Sequence, residues 1–144
     1  IPLDGVVIVS TPQEVALADA RRGVNMFKMD NVKVPIIGMV ENMSWFTPEE
    51  LPENKYYIFG RDGTKNLSEG LNVPFLGQIP LVQSIRESAD VGRPAVLQQE
   101  TSVESLYRET CQNLILSVDN RNKELEETKV VPVEYGEPKC STNG

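Results

Sequence analysis

The chain has 144 residues and a formal net charge of -7, so it can bury a core as one domain. The negative charge argues against non-specific binding to nucleic acid or to an anionic membrane, and no apolar run approaches the ~20 residues that cross a bilayer. The chain has no histidine, which excludes His-based catalysis and Cys/His zinc sites in this segment. Its two cysteines, Cys111 and Cys140, are not spaced as C-x-x-C, and a reducing, cytoplasmic setting is expected.

The first part of the chain predicts a β-α-β unit. Four consecutive β-branched residues between Gly5 and Ser10 indicate a buried strand. A helix is expected from Pro12 to about Met29, with Thr11 and Glu14 forming a capping box at its start. The same two polar side chains could instead face a nucleotide or a dimer partner. A second buried strand is expected from Val34 to Val40.

The rest of the chain predicts further alternation of helix and strand. The expected elements are a loop over 41–57, a helix over 64–69, a strand over 73–79 closed by Pro80, a helix over 81–89, and a long helix that opens with a capping box at 101–104 and ends within 121–128. Cys111 lies near the apolar face of the long helix and is expected in the core. Residues 1–120 are therefore the predicted folded domain, and 121–144 a polar helix end and loose tail.

Polar residues follow the first two predicted strands, and ligands of open parallel sheets bind at the carboxyl ends of the strands. However, the 144 residues contain no G-x-x-x-x-G-K-[ST] phosphate loop. The chain also begins at Ile1 and enters a strand almost at once, which predicts that it is a piece of a longer protein.

Four motifs occur in order along the chain: VSTPQEVALADA at 9–20, GMVENMS at 38–44, IFG at 58–60 and LGQIPL at 76–81. In this order they resemble the Mrp/ApbC-type P-loop ATPases, relatives of MinD and ParA that are associated with iron–sulfur cluster carriage. The resemblance implies an α/β fold with a partial parallel sheet flanked by helices. The chain would then be the carboxyl-terminal half of a MinD-like (SIMIBI) P-loop ATPase.

The resemblance also implies a function. The parent protein would use ATP and Mg²⁺, hydrolyse ATP, form a homodimer and assemble or transfer iron–sulfur clusters to client proteins. The chain alone lacks the phosphate loop and is expected to have no ATPase activity. Two alternatives stay open, a MinD/ParA-like positioning ATPase and a non-enzymatic interaction module.

In related ATPases an asparagine contacts the adenine, and the resemblance carries that role to Asn42, whose amide offers both a donor and an acceptor. Backbone contacts to the base are implied for Ile79, Pro80 and Leu81. From the residues alone, Asn42 could instead bond its own loop backbone, and Pro80 could simply end a strand. No catalytic residue and no metal ligand is assigned within the chain.

Cluster-carrying members of the family have a C-x-x-C motif shortly after Glu-Asn-Met-Ser. The matching positions here are Pro48 and Leu51, and neither side chain ligates iron. Cluster binding at the usual site is therefore not expected. Trp45 and Phe46 precede these positions and are interpreted as a contact surface, with packing over the sheet edge as the alternative.

Overall fold

The computed structural model describes residues 3–48, 50–97 and 102–126. Within them three parallel strands form one sheet in the order β1-β2-β3. The strands are β1 (Val6–Ser10), β2 (Ile36–Phe46) and β3 (Phe75–Leu81). The helices are α1 (Glu14–Lys28), α2 (Gly63–Leu71), α3 (Gln83–Asp90) and α4 (Ser102–Glu124), and a short 3-10 helix covers Ala95–Leu97. The predicted α/β fold with a parallel sheet is confirmed.

Helices cover both faces of the sheet. Successive residues of a strand point to opposite faces, so Met39 and Val40 of β2 enter two different core clusters. On one face the buried core consists of Leu17, Ala20, Met39, Leu67 and Val73. On the other face Val40, Leu76 and Ile79 pack against α3 and α4 residues that include Ile85, Leu106 and Leu114. Burial on both faces explains why the strands are continuous apolar runs.

Two strand boundaries differ from the prediction. β2 continues to Phe46, beyond the predicted loop start at Glu41, because the polar side chains of Glu41 and Ser44 are buried and hydrogen-bonded. β3 runs through Pro80 to Leu81. Proline is tolerated there because β3 is an edge strand of the described sheet, where the missing N–H of proline need not remove a hydrogen bond between strands.

The predicted capping box at Thr11 is wrong. α1 begins at Glu14, and its N-cap residue Gln13 makes no side-chain cap. Thr11 instead directly follows the last residue of β1, and its carbonyl oxygen accepts a hydrogen bond from the Ser10 hydroxyl. The Thr11 Oγ1 atom is buried and has no hydrogen-bond partner within the described residues.

Cys111 is exposed, contrary to the prediction of a core thiol. The packed face of α4 is centred on Leu106, Thr110 and Asn113, which places position 111 at its solvent side. α4 ends at Glu124, inside the predicted range, whereas residue 101 of the second capping box and the tail with Cys140 lie outside the described residues. Among the described helices, none has the length and apolar character needed to cross a bilayer.

Candidate functional site

The carboxyl ends of the three strands bring polar side chains into one row. Ser10 of β1 is paired in register with Glu41 of β2, which is paired in turn with Gln78 of β3. One residue further along, Asn42 is paired with Ile79. This row lies at the carboxyl-terminal ends of the strands, where ligands of parallel α/β folds bind.

Glu41 is fully buried, and both of its carboxylate oxygens accept hydrogen bonds. Oε2 accepts the backbone N–H of Thr64 at 2.8 Å, and Oε1 accepts from Gln78 Nε2 at 2.9 Å. Thr64 is in the first turn of α2, where backbone N–H groups have no partner inside the helix. The carboxylate therefore satisfies one of these groups and complements the positive end of the helix dipole.

The same cluster ties the start of α2 to all three strands. Gln78 Nε2 also donates to Asp62 Oδ1 at 2.9 Å, and Asp62 has a left-handed backbone conformation at the N-cap of α2. On the other side, Thr64 Oγ1 lies 3.4 Å from the carbonyl oxygens of Ser10 and Thr11. We refer to Glu41, Asp62, Thr64 and Gln78 as the strand-end network. No local sequence pattern reveals this network, because its members come from separate parts of the chain.

Asn42 lies beside this network and is partly exposed. Its Oδ1 atom accepts the backbone N–H of Met43 at 3.0 Å, and Met43 has a positive φ of 55°. A hydrogen bond between the Asn42 side chain and the neighbouring backbone, which is the alternative interpretation of this residue, is thus present. Within the described residues, the Nδ2 group makes no hydrogen bond to a protein atom. The adenine role of Asn42 stays a prediction.

The three other predicted site residues are on β3, where Ile79 is paired with Asn42 of β2. Ile79 and Pro80 are buried, and Leu81 is paired with Phe46 and is partly buried. A cavity of about 380 Å³ opens beside these strand ends. It is lined by Phe46, Thr47, Pro48, Glu50, Val82, Gln83 and Ser84.

The segment that follows β2 is held in a defined shape. Phe46 and Tyr56 exchange two backbone hydrogen bonds, each of 2.8 Å. The Lys55 Nζ atom lies 4.1 Å from the centroid of the Trp45 ring. Trp45 and Phe46 are partly buried, whereas Leu51 is exposed. Within the described residues no group of three or more His, Cys, Asp or Glu side chains is arranged to hold a metal ion.

A larger cavity of about 560 Å³ lies between α1 and α2, and the sequence analysis did not predict it. Polar groups on its wall include Gln13, Arg21, Arg61 and Asn66, and apolar ones include Leu17 and Leu67. Its mixed lining makes it a second candidate ligand site, besides the strand-end site formed by Asn42, Ile79, Pro80 and Leu81.

The three-stranded parallel sheet, its covering helices and its polar strand ends define a MinD-like α/β protein. The MinD cell division ATPase of Pyrococcus furiosus superposes with a TM-score of 0.59 over 78% of this chain and 43% of that chain, at 20% identity. A nucleotide-binding protein from Archaeoglobus fulgidus, solved with ADP, superposes with a TM-score of 0.54 at 31% identity, over 62% of this chain and 36% of that chain.

Residues 1–135 match the ParA-type family described as NUBPL iron-transfer P-loop NTPase, and the chain belongs to this family. The iron-sulfur cluster transfer protein NUBPL of Dictyostelium discoideum is 42% identical over 91% of this chain and 41% of its own length. An iron-sulfur cluster carrier protein of Synechocystis is 49% identical over 71% of this chain and 28% of its own length. The chain thus spans less than half of these relatives, and the resemblance to Mrp/ApbC-type ATPases is confirmed.

Proposed function

We propose that this chain forms the adenine-binding side of an ATPase that assembles or transfers iron–sulfur clusters. The proposal is supported by membership of the NUBPL iron-transfer family and by the relatives named as cluster carriers. The structural observation that carries it is the pairing of Asn42 with Ile79 at the carboxyl ends of neighbouring strands. ATP and Mg²⁺ would act together with a phosphate loop contributed by the rest of the protein.

The strand-end geometry suits a purine base. Asn42 Nδ2 can donate to a ring nitrogen of adenine, while backbone groups near Pro80 and Leu81 lie on the next strand. The side chains of Ile79 and Pro80 are buried, so these residues would contact a base through the strand backbone. The chain's own contribution is therefore to bind and orient the base.

Replacing Asn42 tests the adenine site. In the full-length protein, Asn42→Ala should weaken ADP binding about tenfold, because one hydrogen bond to a ligand contributes about 1 kcal/mol or more. The melting temperature should barely change, since Asn42 is partly exposed and its visible bond is to the next residue. Calorimetric titration with ADP measures the affinity.

Asn66→Ala is the matched control, because Asn66 is an exposed asparagine on the wall of the cavity between α1 and α2. ADP affinity that falls with Asn66→Ala and not with Asn42→Ala would locate the base in that cavity and reject the strand-end site.

We further propose that the purified 144-residue chain has no ATPase activity, because it contains no phosphate loop. Measuring phosphate release from ATP by the chain and by the full-length protein tests this proposal. Turnover by the chain alone would contradict it.

We also propose that cluster cargo is not held at positions 48 and 51. The Leu51 N–H donates to the Pro48 carbonyl at 3.2 Å, and neither the Pro48 nor the Leu51 side chain can ligate iron. Anaerobic reconstitution of the full-length protein should yield no stoichiometric cluster, whereas Pro48→Cys with Leu51→Cys should raise the iron content. A stoichiometric cluster on the unmodified protein would mean that ligands other than positions 48 and 51 hold it, and no gain of iron in the double cysteine variant would contradict the assignment of the usual site to these positions.

The remaining proposals concern partners. We propose a homodimer of the full-length protein and iron–sulfur client proteins, with Trp45 and Phe46 near a contact surface and a cytoplasmic location. Sedimentation with and without ATP tests the dimer, because a nucleotide-dependent mass increase is expected.

A further inference from the structure

We propose that Glu41 is a positioning residue for the nucleotide site, which acts by fixing Asn42. This inference rests on the proposed adenine site. It concerns a side chain that touches no ligand, because Glu41 is fully buried.

The buried Glu41 carboxylate stabilises the start of α2, but that role does not require bonds to two different elements. No lysine or arginine of the described residues forms an ion pair with its carboxylate. Removing a carboxylate from water is costly, and well-packed apolar side chains often serve stability at least as well. The carboxylate fixes the orientation of Glu41 between α2 and β3, because each of its oxygens accepts a hydrogen bond from a different element.

Glu41 is held at both its side chain and its main chain. The side chain is bonded to Thr64 of α2 and Gln78 of β3, and the carbonyl oxygen accepts the Ser44 hydroxyl at 3.0 Å. Along the chain, Asn42 and Met43 lie between Glu41 and Ser44. The direction in which the Asn42 amide leaves the strand therefore depends on the placement of Glu41.

The network has a defined hydrogen-bond polarity. Gln78 Nε2 donates to Glu41 Oε1 on one side and to Asp62 Oδ1 on the other, so one donor group lies between two acceptors. Glu41→Gln keeps the shape of the side chain and can still accept from Thr64. However, it turns an amide N–H₂ group toward Gln78, and two donors then face each other.

The test compares variants of the full-length protein. Glu41→Gln should weaken ADP binding at least fivefold and raise KM for ATP, with kcat within twofold of the wild-type value. Ser68→Ala is the matched control, because Ser68 is also fully buried but its hydroxyl donates to the Lys65 carbonyl within the same helix, α2. This control should lower the melting temperature without weakening ADP binding.

A rescue variant distinguishes positioning from space filling. Glu41→Gln, Gln78→Glu and Asp62→Asn together reverse the polarity, so that two amide donors flank one carboxylate and position 41 still accepts from Thr64. ADP affinity should return to within threefold of wild type. If Glu41→Gln does not fold, Gln78→Ala removes the central donor instead and should weaken ADP binding in the same way.

The outcomes separate the two proposals. If Asn42→Ala weakens ADP binding but Glu41→Gln leaves it within twofold of wild type, the positioning role is wrong and the adenine site stands. If Asn42→Ala has no effect, the adenine site is wrong and the positioning role is rejected with it. A rescue variant that binds no better than Glu41→Gln also rejects hydrogen-bond positioning.

Discussion

Gly38 leaves the space in β2 that the Leu76 side chain of β3 fills. A Cβ atom at position 38 would overlap three atoms of the Leu76 side chain, which is 1% exposed and belongs to the core under α4. The position of Leu76 in this core therefore depends on the absence of a side chain at position 38. Gly70 is its opposite, because a Cβ atom there would meet nothing within 4 Å.

This contrast gives a stability prediction. Gly38→Ala should lower the free energy of unfolding by about 1–3 kcal/mol, because overpacking forces Leu76 out of place. Gly70→Ala in α2 should be neutral or raise it by up to about 1 kcal/mol, because alanine is the better helix former. Urea denaturation measures both. Equal losses for the two variants would show that close packing at Gly38 is not the cause.

At the residue scale, the sequence could indicate Asn42 but not its neighbour Glu41. Asn42 stands directly after an apolar run and within a recognisable motif, so both pattern and resemblance single it out. Glu41 looks like the first residue of a loop until its partners are known. Those partners, Thr64 and Gln78, are 23 and 37 residues away along the chain, and no local pattern connects them.

At the element scale, buried strands are well predicted and element ends are not. Continuous apolar runs identify strands because both faces of the sheet are covered. The end of β2 depends on tertiary partners of Glu41, and the passage of β3 through Pro80 depends on its edge position. In α4 the apolar spacing is correct, but Thr110 and Asn113 shift the packed face away from Cys111.

The start of α1 offers an improvement in stability. Gln13 has the extended conformation of an N-cap residue, with φ -69° and ψ 138°, yet provides no cap. Gln13→Ser should raise the free energy of unfolding by about 1 kcal/mol, because a serine oxygen accepts a free N–H of the first turn. Thermal and urea denaturation measure the change. Gln13→Ala is the control, and an equal gain from alanine would mean that capping is not responsible.

At the scale of the whole molecule, β1 is one of the two edge strands of the described sheet. Within the described part of the chain it pairs only with β2, and Val9 is 59% exposed. Parallel strands are normally covered on both sides, and an unprotected apolar edge is a site where another chain can pair. The chain also spans only 28–41% of the two relatives described above.

The exposed edge predicts self-association of the 144-residue chain. Val9→Lys should reduce concentration-dependent association, because a lysine on an edge strand opposes pairing with a second strand. Val15→Lys is the matched control: Val15 is 71% exposed but lies on α1, so the same change in charge should leave association unaltered. Sedimentation velocity over a series of concentrations measures the effect. If both lysines reduce association equally, net charge and not the β1 edge controls it, and an unchanged association with Val9→Lys would show that the chain pairs through another surface.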